Sequence, residues 1–145
     1  MWPFRRKGCS DNAAPADPSA KPPPSLGSQG EKIARACLRR QGMKILAENY
    51  RCPVGEADLI ALDRATQKES GAETIVFVEV KTRSSDRYTD PEGAVNADKR
   101  RRLRKIADYY VSTRSAADFR VRFDIVSIVL RPGQEPQVRH IPNAF

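Results

Sequence analysis

At 145 residues the chain has room for one domain with a hydrophobic core. Its 26 Lys and Arg against 18 Asp and Glu give a formal net charge of +8, which favours a polyanionic partner. Three scattered cysteines and one histidine argue against a disulfide framework, a zinc site or a Cys/His dyad. No stretch approaches the roughly 20 apolar residues of a membrane span, and "MWPFRRKGCS" lacks a signal-peptide apolar region. The expectation is a cytoplasmic protein with no membrane partner, for which the polyanion is nucleic acid.

Residues 1–27 hold six of the eleven prolines and no apolar periodicity, which predicts a disordered tail ahead of a domain over 28–145. "SQGEKIARACLRRQG" predicts a first helix, with Ser28 as N-cap, Glu31 completing a capping box and Gly42 as the stop. Cys37 falls on its apolar side, the place of a core thiol. "MKILAENYRC" and "EADLIALD" follow as strands, then "RATQKESGAE" as a polar loop and "TIVFVEVKTR" as a third strand. After a turn with Asp90-Pro91 and Gly93, "AVNADKRRRLRKIADYYVSTR" predicts a long helix burying Leu103, Ile106, Ala107 and Tyr110. "RVRFDIVSIVL" gives a last long strand and "EPQVRHIPNAF" a short edge strand. The order αβββαβ implies an α/β domain, a mixed central sheet flanked by helices.

The third strand carries the main anomaly. Glu79 and Lys81 interrupt the far end of its apolar run and, by period two, face the same side. If strands two and three form a hairpin through the 64–73 loop, the register sets Asp58 opposite Glu79. Two converging carboxylates beside a lysine suit a hard cation such as Mg²⁺ or Mn²⁺, with the Val80 carbonyl as a further ligand. Such an ion activates water and shields a phosphodiester, and an adjacent ammonium stabilises the phosphorane. The bland alternative is a solubilising Glu/Lys pair at a strand end.

These residues carry a resemblance. "GEADLIALD" followed by "FVEVKTR" resembles the central signature of the YraN-like family of the PD-(D/E)XK nuclease superfamily, with its restriction-endonuclease-like fold. Further matching stretches are "GSQGEKIARACL", "NYRCPVGE", "AVNADKRRRL", "RFDIVSI" and "NAF". The proline that names the superfamily motif is replaced by Ala57. The resemblance implies a metal-dependent endonuclease acting on DNA, branched or single-stranded forms included. It implies that Asp58 and Glu79 hold the metal and Lys81 assists the water, with Glu31 as an extra acid from the first helix. The signature also takes in Thr82 and Arg83, and Arg83 is expected on nucleic acid.

Each secondary candidate has a plainer reading beside it. Glu31 suits a helix start, favoured by capping and the dipole. Glu56 shares a face with Asp58 and could reach a metal through water or simply be solvated. Lys99 lies on the buried stripe of the second helix, placed either for a phosphate or to snorkel at the core edge. Arg100, Arg101, Arg102, Arg104 and Lys105 exceed what solubility needs and are expected to contact backbone phosphates. Asp124 is expected to partner a nearby arginine, and Tyr109 and Tyr110 to pack rather than stack on bases. A different class of function stays open, a catalytically silent nucleic-acid-binding module working with a partner in DNA processing. Symmetric cutting of a junction would require a homodimer, and the sequence shows no seam for one.

Overall fold

The computed structural model describes residues 21–85 and 95–145. The Asp90-Pro91 and Gly93 turn and most of the proline-rich tail lie outside the described residues. Helix α1 (Leu26–Arg40) follows three prolines and is capped by Ser25, whose Oγ accepts the Ser28 N–H at 3.2 Å. This corrects the expected start. Ser28 lies inside the helix, and Glu31 falls beyond the first turn and forms no capping box. Two serines three residues apart both precede the apolar stripe, and the earlier one follows prolines that hold the chain extended. Gly42, at φ 86°, ends the helix as expected.

Strands β1 (Lys44–Cys52) and β2 (Gly55–Asp63) form a hairpin closed at the Cys52–Gly55 pair, with a bulge between Ile45 and Ala47. The segment expected as a plain loop contains a short helix, α2 (Thr66–Ser70). The Thr66 and Ser70 hydroxyls hold it by donating to backbone carbonyls, including that of Ala72. Strand β3 (Thr74–Arg83) runs antiparallel to β2. Helix α3 (Ala97–Thr113), capped by Asn96, precedes β4 (Arg120–Val129), which lies parallel to β3. Strand β5 (Gln137–Ile141) closes the far edge, antiparallel to β4.

The sheet order follows the chain, β1-β2-β3-β4-β5. The result is a mixed α/β domain consistent with a restriction-endonuclease-like core, as expected. β3 sits at its centre, which explains its unbroken apolar run, since a central strand covered on both faces has no polar side. Ile75 and Phe77 pack toward the α3 residues Leu103, Ile106, Ala107 and Tyr110. Val76 and Val78 pack on the other face with Ala34 and Leu38 of α1. Tyr110 is core as expected, edge-on to both Tyr50 and Phe77. Cys37 is only half-buried, at the margin of α1 rather than in the core. Among the described residues no helix is long and apolar enough to cross a membrane.

Candidate functional site

Leu59 pairs with Val78 and Ile60 with Phe77, so the expected hairpin register holds and makes Asp58 and Glu79 the next opposed positions. Beyond Leu59 a side chain takes over from the backbone ladder, and Asp58 Oδ2 accepts the Val80 N–H at 2.8 Å. Burial first, and then the Glu79 charge, push the Asp58 carboxyl up to about 6. The Val80 N–H and Lys99 pull it down, and Glu31 adds an upward push. The two acids therefore sense each other directly, and a structure that keeps both charged must offset their repulsion.

Glu79 is only 3% exposed. Lys81 Nζ lies 3.1 Å from its Oε1, and Lys99 Nζ lies 3.3 Å from its Oε2. The Lys99 contact is one of charge, not of hydrogen-bond alignment, because Oε2 is buried and accepts no hydrogen bond. A buried carboxylate oxygen without a donor is costly. Lys99 reaches this point because it lies on the inward stripe of α3, where its N–H donates to the capping Asn96 Oδ1 at 2.9 Å.

Glu31 arrives from the other layer. Its Oε2 accepts from Asn49 Nδ2 at 3.1 Å, and Asn49 holds a left-handed φ of 47° on β1. What lets α1 come so close is Gly30, where a Cβ would stand 1.7 Å from Thr82 Oγ1 on β3. Gly30, Asn49 and Asn96 were not legible as site residues. Their roles depend on contacts across layers, although the lone glycine inside a helical pattern was a signal of close approach.

Among the described residues no three His, Cys, Asp or Glu side chains gather into a metal cluster. The donor set that the geometry supports is the Asp58 and Glu79 pair, with Glu31 engaged by Asn49. Mg²⁺ is commonly held by one or two carboxylates and keeps several waters. The orphaned Glu79 Oε2 beside Asp58 fits such an ion.

The other expected contacts separate by face. Arg83 ends β3 half-buried, on the Lys81 side of the strand by period two. Arg100 donates from Nε to the Val95 carbonyl at 2.8 Å, and its guanidinium lies 5.2 Å from the Phe145 ring centre. Arg104 lies over the same ring at 5.9 Å. Arg101 pairs with Asp98 at 3.2 Å, on the flank away from Phe145 that Arg102 and Lys105 also line. Glu56 is exposed and pairs with Arg51 at 3.4 Å. Asp124 lies on the α1 face of the sheet, where Arg122 grips it through Nε at 2.9 Å and Nη2 at 3.0 Å, as expected of a structural partner. His140 Nε2 meets it at 2.8 Å and the Asn143 N–H donates to it at 2.9 Å.

Fold and edge together define a mixed α/β protein with an acidic pair set at the ends of two central strands between lysines. Comparison with known sequences then specifies the family. The pattern described as "Uncharacterised protein family UPF0102" matches residues 30–128. A "UPF0102 protein" of Geobacter metallireducens is 46% identical over 121 residues, covering 83% of this chain and 92% of its own. One from Nocardia farcinica is 40% identical, covering 83% and 89% of the two chains. One from Pelobacter propionicus is 36% identical over 142 residues, 98% of this chain and 97% of its own. The chain belongs to the UPF0102, or YraN-like, family.

Proposed function

We infer that the protein is a metal-dependent endonuclease of the PD-(D/E)XK type that hydrolyses phosphodiester bonds in DNA. The observation that carries this reading is the buried, donorless Glu79 Oε2 set beside Asp58 and flanked by Lys81 and Lys99. Asp58 and Glu79 would hold Mg²⁺ or Mn²⁺. Such an ion, when bound, lowers the pKa of a bound water and shields phosphate charge. Lys81 orients the attacking water and stabilises the charge that builds on the phosphorane. Lys99 exchanges its Glu79 contact for a non-bridging phosphate oxygen. Glu31 steadies the entry to the pair from α1.

One observation favours a second reading, a nucleic-acid-binding module that cuts nothing and works with a partner. Lys81 and Lys99 already neutralise Glu79, so the trio is stable as a purely structural ion cluster.

The deciding experiment incubates the purified protein and its Glu79→Ala variant with duplex, single-stranded and four-way-junction DNA, with and without Mg²⁺ or Mn²⁺. Metal-dependent cleavage by the parent protein and none by the variant is the expected result. In parallel, a saturating divalent ion should raise the melting temperature of the parent by several degrees and leave Glu79→Ala unmoved. Equal binding with no cleavage by either protein, and no thermal shift, would establish the silent module instead.

A further inference from the structure

The basic run on α3 is not a uniform stripe. At 100° per residue, Arg100 and Arg104 fall on one flank and Arg102 and Lys105 on the other. The first pair is engaged by the protein's own Phe145, which in turn stacks on Phe123 with centroids 5.3 Å apart. The second pair has no such engagement. Among the described residues neither Arg102 nor Lys105 makes an ion pair or side-chain hydrogen bond.

The unpaired flank faces the β1–β2 turn across two adjoining cavities. One, of about 560 Å³, is lined by Arg51, Cys52, Gly55, Glu56, Lys99 and Arg102. The next, of about 300 Å³, shares Arg102 and adds Val54, Asp98, Arg101 and Lys105. The trough is thus strongly basic. Its acids are held loosely, since Glu56–Arg51 and Asp98–Arg101 are exposed pairs at 3.4 and 3.2 Å, which contribute little and exchange readily. Gly55 shapes the floor. A Cβ there would stand 3.1 Å from Arg102 Cδ, so the missing side chain lets the arginine stem lie flat on β2. The inner end of the trough is Lys99, whose ammonium touches Glu79 Oε2 at 3.3 Å.

We propose that this trough is the track of a nucleic-acid strand, in which Arg51, Arg102 and Lys105 hold successive phosphates and Lys99 delivers the strand to the carboxylate pair. The proposal rests on the nuclease reading for its direction, but the track itself is a binding surface. Among the described residues no aromatic side chain lines either cavity, so this lining holds the strand by its phosphates, without sequence choice. Arg51 is an exposed hairpin residue that neither its charge nor its position in the sequence marks as a contact.

The test is equilibrium binding of a fluorescent mixed-sequence DNA strand of about 30 nucleotides, in EDTA so that nothing is cut, over a series of salt concentrations. Arg51→Gln, Arg102→Gln and Lys105→Gln should each flatten the slope of log K against log salt by about 0.7, and the triple variant by about 2. Lys68→Gln, the same charge change on exposed α2, should leave the slope unchanged. Oligo-dT of equal length should bind within about threefold of the mixed sequence. All three substituted side chains are exposed, and a thermal melt confirms that each variant is folded. A triple variant that keeps the parental slope overturns the track, as does a preference beyond about tenfold between the two strands. If the parent still cuts DNA with metal in that case, the nuclease reading survives and the track alone falls. A parent protein that binds no strand at any salt concentration overturns the track, and one that also cuts no DNA with metal sinks both.

Discussion

Two carboxylates are buried on opposite faces of the same sheet, and they are treated in opposite ways. Asp124, fully enclosed on the α1 face, accepts from Arg122, His140 and the Asn143 N–H. Arg122 also reaches Asp63 at 3.0 Å, so the network ties β2 to β4 across the central strand. Burial alone would raise the Asp124 carboxyl, but its hydrogen bonds outweigh that and hold it below the ordinary value. Glu79, on the α3 face, is nearly as buried, yet one of its oxygens has no donor and its neighbour Asp58 is pushed up to about 6. A completed shell marks a carboxylate that supports the fold. An incomplete shell, with a second acid beside it, is the feature on which the proposed metal site rests.

The largest effect that would break this contrast is on stability. Asp124→Ala leaves the half-buried Arg122 without its main partner, and His140 and the Asn143 N–H without theirs, and should cost about 3 kcal/mol in urea denaturation. Glu79→Gln should cost less than about 1 kcal/mol, because Lys81 and Lys99 are partly exposed and can turn to solvent. Equal losses would show that both acids are structural. Next, Glu79→Gln should lower the rate of metal-dependent DNA cleavage by about a hundredfold or more, equivalent to about 2.7 kcal/mol. Conservative changes at the Asp124 network that leave the fold intact should not reduce the rate.

The third effect is in the pH dependence, where the two faces have opposite signs. The Asp58 pKa is raised on folding, from 3.8 to about 6, so the folded state holds that proton more tightly. Its charge therefore destabilises the fold increasingly as pH rises between those values. Asp58→Asn should stabilise the metal-free protein by about 2 kcal/mol at pH 8 and by almost nothing at pH 4. Asp124 is lowered instead, so its contribution is present above the ordinary carboxylate pKa and disappears as pH falls below it. Denaturation curves of the metal-free parent and Asp58→Asn across this range check the sign. A gain that is independent of pH would mean that Asp58 is not strained.

Much of this arrangement was legible because period and register are local rules. The apolar run of β3, the same-face spacing of Glu79 and Lys81, and the hairpin that brings Asp58 opposite Glu79 all follow from alternation and the 64–73 connection. The buried stripe of α3 was legible for the same reason, and it carried Lys99 inward with it. What sequence reading missed depends on contacts between layers. Nothing near Gly30 announces that Thr82 will press on it, and nothing in the run 100–105 tells which arginines Phe145 will claim. The start of α1 was misplaced because Ser25 and Ser28 offer the same cap chemistry, and only the chain path out of the prolines separates them.

The two acids reach the site by a different route from the lysine of α3. Asp58 and Glu79 are joined by a short hairpin, the kind of contact whose closure costs little entropy and forms early. Lys99 arrives only when α3 has crossed back over the sheet. The hairpin brings together two like charges with Lys81 alone to offset them, and the second cation, Lys99, is added only when the helix docks. An incomplete assembly of strands gains little by itself, and hairpin and crossover helix gain most when they form together. The same ion cluster that prepares the site therefore makes the centre of the sheet and α3 a single cooperative folding unit.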